Sequence, residues 1–288
     1  MHLNKKGVKM AEYRTIIVAT DLTISADRAV EKAVKLAERG KSELLIVHVI
    51  DKGIFGVGFE DEAKIKKAEQ KLKEHYKTIQ NANFLVLSGK PANEIIALAA
   101  VKNAALVVVG DHAPMPLKDF FLGTTARNIT TKGKTPVLVV KTNEPIKKIL
   151  VPTDFSDDSL ACASFVFGYW SGLDIELLNI YQTPPETTVE FYNLSDDELK
   201  KIKNEQEEKA NNEMAEFVKK LGDKNLSLGI KGAVSCEVAI LEHAKKYNAN
   251  LIAIGTRGVG RFSTEVMGSV AEYILRASPV DVLLHRLD

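Results

Sequence analysis

Ten short apolar runs recur along the chain in two sets of five, and helical patterns separate them. The first set is "TIIVAT" (15–20), "ELLIVHVI" (43–50), "NFLVLS" (83–88), "ALVVVG" (105–110) and "PVLVVK" (136–141). The second is "KKILVPT" (147–153), "DIELLNIY" (174–181), "NLSLGIKG" (225–232), "NLIAIGT" (250–256) and "PVDVLLH" (279–285). Branched and leucine residues fill these runs without polar alternation, so both faces of each strand are buried, as a parallel sheet requires. Between them, "SADRAVEKAVKLAERG" places Ala26, Ala29, Val30, Ala33 and Ala37 on one helical face. Ser25 is the predicted N-cap there and Gly40 the stop. "SDDELKKIKNEQEEKANNEMAEFVKKLG" opens with Ser195 and Glu198 at capping-box spacing and closes at Gly222. Further helices are predicted over 91–103 and 236–248. The alternation predicts an α/β fold: two tandem, open, parallel five-stranded sheets with helices on both faces and right-handed crossovers.

The copies are not equal in length. Asp21 and Asp154 lie 133 positions apart, whereas Gly110 and Gly255 lie 145 apart. The 12 extra residues of the second half fit its long second helix and the "QTPPETTVEFYN" loop before it. The seam falls in "KTNEPIKK", which predicts a tail over 1–10, a first domain over 11–142 and a second over 143–288. A net charge of +1 argues against a nucleic-acid or anionic-lipid partner. Two cysteines, Cys162 and Cys236, form no disulfide framework and suit a reducing compartment. The start has lysines but no apolar run behind them, unlike a secretory signal, and no segment reaches the length of a membrane span. The expected location is the cytoplasm.

Chemistry concentrates in "AIGTRGVGRFSTEVMGSVAEYIL", Ala253 to Leu275. Gly255 ends a buried strand, so the following loop lies at the carboxyl edge of the sheet, where open α/β folds bind ligands. Glycines there allow positive φ and let backbone N–H groups approach an anion. Gly268-Ser269 begins a helix whose first turn has unpaired donors and a partial positive charge, a geometry that fits a phosphate chain. Ser269 adds a hydroxyl, and Arg257 and Arg261 add charge at the mouth. The loop lacks the Gly-Lys-[Ser/Thr] of a Walker A motif and is not placed as a dinucleotide fingerprint. After the first strand of each half come "ATDLTIS" and "VPTDFSD", putting Asp21 or Asp154 where it would accept from an adenine amino or ribose hydroxyl group, or cap the next helix.

Taken together, "KKILVPTDFS", "ELLNIY", Gly255-x2-Gly258-x9-Gly268-Ser269 and "SPVDVLL" resemble the universal stress protein family in its tandem form, over nearly the whole chain. The resemblance implies an adenine-nucleotide α-hydrolase-like, Rossmann-like three-layer fold, and the glycine spacing is that of members that bind ATP. It implies that Pro152, Thr153, Asp154 and Ser156 border adenine and ribose, that backbone at Ile180 meets the adenine, and that Val234 lines the base pocket. Gly255, Arg257, Gly258, Gly268, Ser269 and Val270 would hold the phosphates. The ligand would be ATP, ADP or AMP, with or without magnesium. The family also pairs domains through the last strand, which in a tandem chain can happen internally and leaves a homodimer open.

The first half departs from this pattern. Ala113 replaces the second glycine, Pro114 removes a donor, and Asp111 adds a carboxylate. Like charges about 4 Å apart repel by roughly 4 kcal/mol before screening, so this half is expected to bind weakly or not at all. Its "SGKPANEI" segment, Asp21 and Ser25 nevertheless keep the pattern, which leaves room for adenosine or a shorter nucleotide. The six histidines show no metal-ligand spacing, and Phe165, Phe167, Tyr169 and Trp170 read as packing. Glu265 and Asp281 lack a partner suited to acid–base work. "DKGIFGVGFEDE" (51–62) reads as a loop folded on its own core or as a docking segment. The expected function is a non-catalytic, nucleotide-binding stress regulator with an unidentified protein partner. A slow ATP-hydrolysing enzyme and a nucleotide-free scaffold are the alternatives.

Overall fold

In the computed structural model, residues 15–51, 62–111, 123–222, 226–258 and 267–287 are described. Expectations for the 1–10 tail, for 52–61 and for His2, His112, Ala113, Pro114, Arg261 and Glu265 fall outside them. The first half comprises β1 (Thr15–Ala19), α1 (Ile24–Gly40), β2 (Glu43–Asp51), α2 (Glu62–His75), β3 (Asn83–Gly89), α3 (Pro91–Val101), β4 (Leu106–Gly110), α4 (Thr124–Lys132) and β5 (Val137–Val140). The second comprises β6 (Lys148–Pro152), α5 (Asp157–Tyr169), β7 (Asp174–Gln182), α6 (Glu186–Phe191), α7 (Asp196–Leu221), β8 (Ser227–Ala233), α8 (Cys236–Tyr247), β9 (Leu251–Gly255), α9 (Ser269–Ala277) and β10 (Asp281–His285). The longer second half is accounted for by α6 and by α7, which has 26 residues against 14 in α2.

Within each half every strand pair is parallel. The two sheets are not separate, however. β10 pairs antiparallel with β5, with Val282 opposite Val139 and Leu284 opposite Val137, so the order is β3-β2-β1-β4-β5-β10-β9-β6-β7-β8 in one ten-stranded sheet. The free edges of the two last strands satisfy each other's backbone groups within one chain. Each face of this sheet carries a core that runs through both halves: Ile16, Leu138, Val151 and Leu283 belong to one, Ile17, Val139, Ile252 and Leu284 to the other. The aromatic residues of α5 pack as expected. Trp170 is buried, and the Tyr169 hydroxyl crosses the seam to donate to the Leu36 carbonyl at 3.2 Å.

Two helix ends differ from the sequence expectation. The N-cap of α1 is Thr23, whose Oγ accepts from Ala26 N, and Gly40 is the helix's last residue, with Lys41 in the left-handed cap at φ 51°. Ser25 is instead buried inside the first turn and turned toward the β4 end. At α7 the capping box of Ser195 and Glu198 and the Gly222 cap at φ 69° form as predicted. Among the described residues, no helix is long and apolar enough to cross a membrane.

Candidate functional site

In each half the strand order reverses between the first and fourth strands, which opens a crevice at their carboxyl ends. In the second half it holds a cavity of ≈ 190 Å³. Of the residues assigned from sequence, Pro152, Thr153, Asp154, Ile180, Gly255, Arg257, Gly258, Gly268, Ser269 and Val270 border this cavity. Leu178, Ile240, Ile254 and Cys236 supply an apolar wall that the sequence reading did not assign. Their signal was present, since Leu178 and Ile254 lie in buried strands and Cys236 and Ile240 in the first turns of α8.

The turn after β6 is built by its own side chains. Thr153 Oγ accepts from Phe155 N at 3.0 Å, and Asp154 Oδ1 accepts from Ser156 N at 3.1 Å and Ser156 Oγ at 2.5 Å. Phe155 is thereby held at φ 64°. Ser156 spends its hydroxyl on Asp154 and on capping α5, and it does not border the cavity. Val234 is 53% exposed and also lies off it. The first half repeats the turn, with Thr20 bonded to Leu22 N, Asp21 to Thr23, and Leu22 at φ 65°.

At the other end of the cavity, α9 begins after Gly268, and among the described residues no side chain caps it. The first-turn amides of Ser269, Val270 and Ala271 therefore present uncapped donors and the positive end of the helix dipole to the cavity they line. Thr256 lines the same cavity. It is 4% exposed, yet its buried Oγ has no hydrogen-bond partner among the described residues. A buried hydroxyl left unpaired is costly and uncommon, so this atom marks a place for an acceptor or donor brought from outside.

Arg257 behaves differently from the expectation. Its guanidinium grips Asp158 through Nε at 3.1 Å and Nη2 at 3.0 Å, its amide also donates to Asp158 at 3.1 Å, and Nη2 reaches the Leu287 carbonyl. The arginine ties the loop to α5 and does not stand free at the mouth. The glycines differ too. Gly255, Gly258 and Gly268 all have φ outside the left-handed region; what they provide is room. A Cβ on Gly255 would meet the backbone of Asp158 and Ser159 at 3.0 and 3.1 Å, and one on Gly258 would meet Asp154 Oδ2 at 2.9 Å.

The first half has a smaller cavity, ≈ 140 Å³, between Thr20, Asp21, Gly110, Gly123 and Thr125. Asp111 does not border it; the carboxylate accepts from Ser25 Oγ at 2.9 Å and meets Arg28 Nη2 at 3.5 Å. Arg28 thus offsets part of the repulsion expected from Asp111. The loop-to-helix tie is the same as in the second half with its charges exchanged: acid on the helix and base on the loop in one, the reverse in the other. Asp281 lies at the seam between halves, away from both cavities, bonded to Lys32, Lys141 and Thr142. His48 Nδ1 donates to the Thr20 carbonyl at 2.9 Å, a structural role. Burial pushes the Cys236 thiol upward, with Glu237 adding to it, and its Sγ sits 3.7 Å from the Ile180 carbonyl.

Comparison with known proteins agrees with this architecture. The structure of a universal stress protein from Archaeoglobus fulgidus DSM 4304 superposes with a TM-score of 0.68, covering 96% of this chain and 99% of that one at 22% identity. Universal stress protein MJ0577 of Methanocaldococcus jannaschii is 27% identical over 154 residues, which is 45% of this chain and 95% of the relative. Universal stress protein YxiE of Bacillus subtilis is 27% identical over 147 residues, 45% of this chain and 99% of its own length. Such relatives therefore correspond to about half of this chain each. The model described as "Universal stress protein family" matches twice, over residues 12–141 and 145–286. With a repeat of that model in each half, the chain belongs to the universal stress protein family.

Proposed function

We propose that this chain binds an adenine nucleotide in the second-half cavity and acts, without catalysing a reaction, as a cytoplasmic stress regulator that signals occupancy to a protein partner. The observation that carries the reading is the shared wall of that cavity: a buried Thr256 hydroxyl, unpaired among the described residues, beside the start of α9, which none of their side chains caps. The apolar wall of Leu178, Ile180 and Ile254 suits a flat base, and the open amides suit phosphate oxygens. Gly255-x2-Gly258-x9-Gly268-Ser269, the spacing of ATP-binding family members, supports the same ligand class. ATP, ADP and AMP all satisfy these contacts. Asp154 is the carboxylate on this wall, and magnesium brought by the nucleotide would meet protein charge there. The first half is proposed to bind weakly or not at all, because its cavity is smaller and its loop sequence carries Ala113 and Pro114.

Thr256→Val gives the sharpest test. Removing an unpaired buried hydroxyl at constant shape is expected to leave the thermal midpoint of the free protein unchanged or raised, while ATP affinity measured by calorimetry falls about tenfold. An unchanged affinity would mean the hydroxyl serves no ligand. Gly258→Val, which drives a side chain into Asp154, is expected to remove most ATP uptake by the chain. Undiminished stoichiometry in that variant would move the site to the first half. Phosphate release is expected at background level; release well above it, lost in Ser269→Ala, would replace this reading with an ATP-hydrolysing one.

A further inference from the structure

Lys141 follows β5 in the first half, and Arg286 follows β10 in the second; they lie 145 positions apart, as Gly110 and Gly255 do. Both reach across the seam. Lys141 Nζ donates to the carbonyls of Leu275 at 2.6 Å and Ser278 at 2.8 Å, at the carboxyl end of α9. Arg286 Nη1 donates to the Thr131 carbonyl at 2.7 Å, at the carboxyl end of α4. Between these caps Arg127 on α4 meets Glu272 on α9 at 3.1 Å, again a pair 145 positions apart. The two helices that begin at the two cavities are thus neighbours across a pseudo-twofold axis, and each is closed at its far end by a cation from the other half.

A nine-residue helix is about 13 Å long, short enough for a cap at one end to fix the other. A cation at the carboxyl end also completes the helix dipole whose positive end faces the cavity. We propose that Lys141, supplied by the first half, is a positioning residue for nucleotide held in the second half: its ammonium holds α9 so that the amides of Ser269 to Ala271 stay aimed at phosphate. This rests on the nucleotide reading above and deepens it. The two halves then form one binding unit, and whatever disturbs the seam weakens nucleotide binding.

The cap carries its own titration. Burial holds the Lys141 ammonium down to about 8, against the opposing pull of Asp111 and Asp281. The other charges packed around it are Arg28, which donates to the Lys141 carbonyl, and Lys32, which pairs with Asp281. Raising the pH from about 7 to about 9 therefore discharges Lys141 and weakens the cap, whereas an arginine at this position stays charged.

The test is ATP titration of the full chain by calorimetry, for the wild type, Lys141→Met and Lys141→Arg, at both pH values. At the lower pH, Lys141→Met is expected to weaken binding about threefold to tenfold with stoichiometry unchanged, and Lys141→Arg to restore it. The wild type should lose affinity by a similar factor on going to the higher pH, and Lys141→Arg should not. Wild-type affinity in Lys141→Met, or the same pH dependence in the wild type and Lys141→Arg, overturns the proposal. Uptake that is insensitive to residue 141 defeats the positioning role alone. No uptake by the wild type at either pH defeats the nucleotide reading and the proposal with it.

Discussion

Asp281→Ala is expected to lower the free energy of unfolding by about 3–5 kcal/mol, the range found when one partner of a buried ion pair is removed. Asp281 is fully buried at the start of β10, and Lys32 is 6% exposed on α1. The carboxylate also accepts from Lys141 N at 2.9 Å, Thr142 N at 3.0 Å and Thr142 Oγ at 3.3 Å, while Lys32 Nζ donates to the Glu144 carbonyl at 2.8 Å. Truncating the aspartate strands an ammonium and two amides at once. Lys32→Met leaves the carboxylate with both amides and is expected to cost clearly less, about half as much. Denaturant titrations of the three proteins measure this order. Equal losses, or a larger loss for Lys32→Met, would show that the lysine and not the aspartate organises the seam.

The same cluster illustrates what the sequence could and could not convey. Asp281 stands where the first repeat has Pro136, and Lys32 where the second repeat has Phe165. Sequence alone marks Asp281 only as a carboxylate without an acid–base partner and does not single out Lys32, because their pairing depends on β5 and β10 meeting antiparallel, a relation between repeats that no local period encodes. What was local was legible: ten strands from apolar runs, the α7 capping box, and a cavity at the carboxyl edge. Arg257 and Asp158 were not, since a bidentate grip between residues 99 positions apart turns an apparent phosphate ligand into a loop anchor. Asp111 was misread for the same reason. Its charge was counted correctly, but its partners Ser25 and Arg28 lie on a helix 83–86 residues away.

The glycine that ends the fourth strand of each half leads to the other large effect. In sequence Gly110 and Gly255 suggested backbone freedom beside an anion, yet the helix after the first strand passes directly over each of them. A Cβ on Gly110 would lie 2.6 Å from Ser25 Oγ and 2.7 Å from the Ser25 carbonyl oxygen, whereas on Gly255 the closest approach is 3.0 Å, to Asp158. At the first distance α1 must move bodily; at the second a few tenths of an ångström suffice. Gly110→Ala is therefore expected to destabilise the free protein by about 2–3 kcal/mol, near the top of the range for overpacking, and Gly255→Ala by less than about 1 kcal/mol. Gly255→Ala should also weaken ATP binding, since the shift falls on the α5 turn where Asp158 holds Arg257. Denaturation midpoints measured without nucleotide separate the two causes: if phosphate approach were the reason for the glycine, neither alanine would change the stability of the empty protein.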